Sequence, residues 1–98
     1  MNIVYAVFGV NGLGTTKNWN KAQKLKKYLG NCYNTKRCSS LDEAVAYARF
    51  HYNELNRYRN LHYDGTLEEE QFIFTKDIKA YMTQNIPPIP FPLIFFDK

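Results

Sequence analysis

Three glycines fall within six residues, Gly9-Val-Asn-Gly-Leu-Gly14, directly behind the β-rich apolar run Ile3-Val-Tyr-Ala-Val-Phe8. That run is too short and too β-branched for a buried helix, so it reads as a first strand with at least one buried face. The glycines then read as a hairpin-like connection into a short second strand through Thr15 and Thr16. Their G-x-x-G-x-G spacing is neither nucleotide-phosphate fingerprint, and no helix starts directly from it. Turn geometry is therefore the role assigned to them, and a phosphate loop is rejected.

Two helices follow. Asn18 can cap a helix from Trp19 to about Leu29, with Gly30 as its C-terminal stop. Trp19, Ala22, Leu25 and Leu29 recur at helical spacing and form an inward stripe, while Lys17, Lys21, Lys24 and Lys27 flank it. Cys32 to Cys38 reads as a third strand, on which Lys36 and Arg37 point to opposite faces if the strand is regular. Ser40-Leu-Asp-Glu43 is a capping box, and Leu41, Ala44, Val45, Ala48, Tyr52 and Leu55 carry the helical period to about Arg57.

The remainder is less decisive. His62-Tyr-Asp-Gly65 looks like a turn, and Thr66-Leu-Glu-Glu69 has the form of a second capping box, yet Gln71-Phe-Ile-Phe-Thr75 has strand composition. Helix and strand both remain open there. Ile86-Pro-Pro-Ile-Pro-Phe-Pro92 must be extended, because each proline fixes its own φ and restricts the residue before it. Leu93 to Phe96 is a final β-like run, an extra strand in prospect.

With 98 residues, 45% of them apolar and 16% aromatic, the chain can build one core. The expectation is one α+β domain over 1–98, with elements in the order ββαβα over 1–58. The extension, 59–98, would pack on that module or on a dimer mate. Cys32 and Cys38 would be roughly 20 Å apart on an extended strand, too far to bridge, and their spacing does not suit zinc. Burial as small apolar side chains is the role expected of both. No secretory signal or membrane-spanning run is visible, which together with free thiols points to the cytoplasm.

Charge is unevenly placed. Up to Ser40 every charged side chain is a cation (Lys17, Lys21, Lys24, Lys26, Lys27, Lys36, Arg37), and all nine carboxylates lie beyond it. Such a basic front portion suggests a polyanion site, with a solvated helix face as the competing explanation. Catalysis finds little support. Glu68-Glu-Glu70 is the only acidic cluster and reads as a solvated helix start, since neighbouring side chains splay apart. His51 and His62 lack partners at ligand spacing, so they are ordinary surface or core histidines, and no metal or cofactor is expected.

Val4 to roughly Phe50 resembles the N-terminal hybrid-binding domain of type-one ribonucleases H, also found in the viroplasmin proteins of plant pararetroviruses. The resemblance rests on an ordered set: Tyr5-Ala-Val7 in the first strand, the glycine-rich turn, Trp19 at the helix start, the dibasic Lys36-Arg37, and Ser40 with Asp42-Glu-Ala44 opening the last helix. It implies a three-stranded antiparallel sheet with two packed helices, and binding of RNA/DNA hybrid, or of duplex RNA less tightly, across the minor groove, with Trp19, Lys36 and Arg37 at the contact and Tyr5 beside them. Taken alone, Tyr5 reads better as core. Where the family usually has aromatics around the dibasic pair this chain has Thr35 and Cys38, and Phe8, Val10 and Leu13 replace basic residues near the turn. Lys21, Lys24 and Lys27 can partly compensate, and Lys17, Lys21 and Lys24 join the expected contact residues. The residues after the module are too few for the family's catalytic domain, so the expected function is non-catalytic, sequence-independent nucleic-acid binding. The opposing expectation is a protein-interaction or homodimeric role for the apolar, proline-rich tail.

Overall fold

The computed structural model describes residues 3–75 together with the backbone of 94–95. A mixed sheet lies between two helical layers, which makes the chain α+β. Strands β1 (Val4–Gly9), β2 (Gly12–Thr16), β3 (Asn34–Cys38), β4 (Phe72–Phe74) and β5 (Ile94–Phe95) stand in the order β3-β1-β2-β4-β5. The first four are antiparallel neighbours, and β5 runs parallel to β4. The three-stranded expectation therefore falls short, because residues beyond 58 widen the sheet itself. Ile94–Phe95 pairs with β4 of its own chain and forms one edge of the sheet. The proline-rich segment lies outside the described residues.

The glycines act as expected of a turn, and close packing supplies a second reason for them. Val10 and Asn11 link β1 to β2, with Gly9 opposite Gly12. A Cβ on Gly9 would stand 2.3 Å from the Leu29 carbonyl oxygen, and one on Gly14 would stand 2.3 Å from the Phe72 ring. Helix and fourth strand thus approach the hairpin too closely for any side chain. The turn is also fastened from outside: the Asn11 amide donates to the Leu29 carbonyl, and the Arg59 guanidinium and Thr75 amide donate to the Val10 and Asn11 carbonyls.

Strand alternation divides the core in two. Val4, Ala6, Phe8, Leu13, Cys38 and Ile73 face α3 (Leu41–Leu55), whose Ala44, Val45, Ala48 and Tyr52 follow the expected stripe. Ser40 caps α3 by accepting from the Glu43 amide at 3.2 Å. The Glu43 carboxylate reaches one residue further back than a standard box, to the Ser39 amide and hydroxyl. On the other face Val7, Phe72 and Phe74 pack against Ala22, Leu25, Tyr28 and Leu29. The helix expected from Trp19 to Leu29 is broken at Leu25 into α1 (Trp19–Lys24) and α2 (Lys26–Leu29).

Two further expectations need correction. Thr66 to Glu69 opens no helix; Glu68 and Gln71 instead bond to each other across a turn that delivers the chain into β4. Cys38 is buried, where desolvation and the nearby Glu43 charge push its thiol up, but Cys32 is exposed in a left-handed turn with φ 61°.

Candidate nucleic-acid interface

Trp19 leaves the stripe to which its spacing assigned it. It is the first residue of α1, after the Asn18 cap that accepts from the Lys21 amide at 3.1 Å, and is 46% exposed. Its ring tilts against Tyr5, with centroids 5.1 Å apart. Tyr5 is accordingly half-buried rather than core, and Arg37 sits directly opposite it in the β1–β3 register. Tyr5, Trp19 and Arg37 therefore share one face of the sheet.

Beside them is a shallow hollow of about 300 Å³ lined by Trp19, Gln23, Lys26, Tyr33, Asn34 and Thr35. Tyr33 fixes its wall, donating its phenol to the Ala22 carbonyl of α1; burial holds that phenol well above its ordinary pKa. Nothing in the sequence singled out Gln23, Lys26 or Tyr33. Only the helical period, which sets Gln23 one turn and Lys26 two turns beyond Trp19, could have suggested the first two.

Lys36 is directed elsewhere. It stands opposite Ala6, on the α3 face, with its ammonium 5.9 Å from the centre of the Tyr47 ring. The dibasic pair thus straddles the outer strand, as regular alternation requires, and only Arg37 shares the face of Trp19. Lys24 is exposed on α1, and like Lys26, Lys27 and Arg37 it forms no ion pair among the described residues.

Lys17 and Lys21 are already engaged. The acidic triplet, expected to be a solvated helix start, folds against them: Lys17 pairs with Glu69 at 2.9 Å and Lys21 with Glu70 at 3.2 Å. Glu70 also accepts from the Thr16 hydroxyl at 2.8 Å and the Lys17 amide at 2.6 Å. Burial works against its ionisation, but the Lys17 amide, the Thr16 hydroxyl and the Lys21 ammonium outweigh that and hold its carboxyl below the ordinary range. A larger open hollow of about 590 Å³ lies by the end of α3, between Phe50 and His62, and contains none of the expected binding residues. Among the described residues no group of His, Cys, Asp or Glu is placed to hold a metal ion, and no helix is long and apolar enough to cross a membrane.

No protein-family model, curated protein or solved structure matches this chain.

Proposed function

We propose that this protein binds RNA/DNA hybrid or double-stranded RNA without cleaving it and without reading its sequence. The observation that carries the reading is the exposed Trp19 ring braced on Tyr5, with Arg37 across the strand pair. A half-exposed indole beside a shallow hollow offers a flat apolar surface to sugars and base edges. The wide, shallow minor groove of an A-like duplex exposes those sugars and their 2′-hydroxyls to such a surface. Lys24, Lys26, Lys27 and Arg37 are then available for flanking phosphates. The resemblance of Val4 to Phe50 to hybrid-binding domains supports the same reading.

Fluorescence anisotropy with matched hybrid, duplex RNA and duplex DNA across a salt series tests it. Hybrid or RNA should bind more tightly than DNA, with a log–log salt slope of roughly −2 to −4 if two to four cations meet phosphates. Equal affinity for all three duplexes, or no binding at low ionic strength, would refute it.

A further inference from the structure

The carboxylate of Glu70 occupies a site whose donors would suit a different anion. A hydroxyl (Thr16), a main-chain amide (Lys17) and an ammonium (Lys21) converge on it within 3.2 Å, and the Lys17 ammonium holds Glu69 alongside. Hydroxyl, amide and ammonium together are the donor types that grip phosphate oxygens on duplex backbones.

The segment bearing Glu70 does not depend on that carboxylate for its position. The Thr15 amide donates to the Gln71 carbonyl at 3.2 Å, and the Thr15 hydroxyl to the Glu68 carbonyl at 3.0 Å. The Glu70 side chain can therefore swing away while the main chain stays on β2. Solvent reaches the site: the side chains of Lys17 and Glu69 are each 45% exposed, and that of Glu70 36%. The site also adjoins the proposed contact, since Lys17 and Asn18 lead directly into Trp19.

We propose that the β2–α1 junction is a phosphodiester seat that the chain fills with its own Glu70, with Glu69 covering the second lysine. This rests on the duplex-binding reading and adds a regulation to it. A carboxylate in the same chain competes at high effective concentration, so isolated anions fail to displace it and only a polyanion already docked at Trp19 does. The acidic triplet thereby sets a threshold against weakly bound, singly charged competitors.

The test compares hybrid binding by the wild type, Glu69→Gln, Glu70→Ala and the double variant across a salt series. Each single variant should bind more tightly, and the double variant by about tenfold at low salt, with a slope steeper by roughly one to two. Adding Lys21→Ala to Glu70→Ala should abolish that gain. Should Glu70→Ala fail to fold, Glu70→Gly removes the same carboxylate and suits the left-handed φ of 61° at this residue. Unchanged affinity and slope in variants that fold would overturn the proposal.

Inorganic phosphate separates the seat from the duplex reading. Against chloride at matched ionic strength, it should raise the Tm of Glu70→Ala and leave that of the wild type unchanged. A phosphate shift without hybrid binding would keep the seat and reject the duplex. Wild-type hybrid binding with no phosphate shift and no effect of the variants would do the reverse.

Discussion

The two faces of the sheet use their aromatic residues differently. Against α3, a continuous helix with an N-terminal cap covers the strands, and Phe8 and Tyr52 are almost wholly enclosed. On the opposite face the helix is broken at Leu25; α1 and α2 still bury Ala22, Leu25, Tyr28 and Leu29, yet the first aromatic of the series, Trp19, stands in solvent against Tyr5. One layer is closed and stabilises the fold. The other is left open at one end, where it exposes an indole beside a basic surface.

Substitutions can break or sharpen that contrast. Tyr52→Ala should have the largest effect, because it empties a site of 0% exposure in the closed layer: about 3–5 kcal/mol lost in urea unfolding. A loss near zero would mean that the closed layer is not the stabilising one.

Glu70→Gln should cost about 1–3 kcal/mol at neutral pH, since it weakens charge-assisted bonds at a partly buried site. Its pH dependence is more specific. The Glu70 carboxyl lies below its usual value of 4.5, so its contribution is complete above that value and is lost as pH falls through the lowered one. Wild type and Glu70→Gln should therefore converge in stability below about pH 4.5. Glu43, whose carboxyl is held down by Ser39, shifts in the same direction but is present in both proteins and cancels. Parallel acid-unfolding curves would show that the Glu70 contacts contribute nothing.

Trp19→Ala should have the smallest effect on stability, about 1 kcal/mol, because its indole is nearly half exposed. It should nevertheless weaken hybrid binding by about tenfold or more, as loss of a stacking aromatic does. A Trp19→Ala chain that unfolds would place the indole in the core and remove the contrast between the faces.

Local signals were legible in the sequence, and distant pairings were not. Asn18 and Ser40 mark helix starts through bonds to a residue three positions on, and both caps are present. The split of Lys36 from Arg37 follows from alternation alone. By contrast, Thr66-Leu-Glu-Glu69 carries the letters of a capping box but lacks the apolar helical run that would make it one. The positive φ of Glu70 turns the chain into β4 instead. The capture of Lys17 and Lys21 depends on Glu69 and Glu70 meeting residues about fifty positions earlier, a pairing that only the β2–β4 register brings about. Periodicity places Trp19 on the inward stripe while the family resemblance makes it a contact, and the sequence does not choose between them; at the first position of a six-residue helix the ring is 46% exposed.

Trp19 is the sole tryptophan of the chain, so intrinsic fluorescence reports on the proposed contact without a label. Titration with RNA/DNA hybrid at low ionic strength should quench or shift its emission and reduce its access to acrylamide, and added salt should reverse both changes. Emission and acrylamide quenching that stay constant at saturating hybrid would contradict the account, because the indole would then be exposed for some other reason.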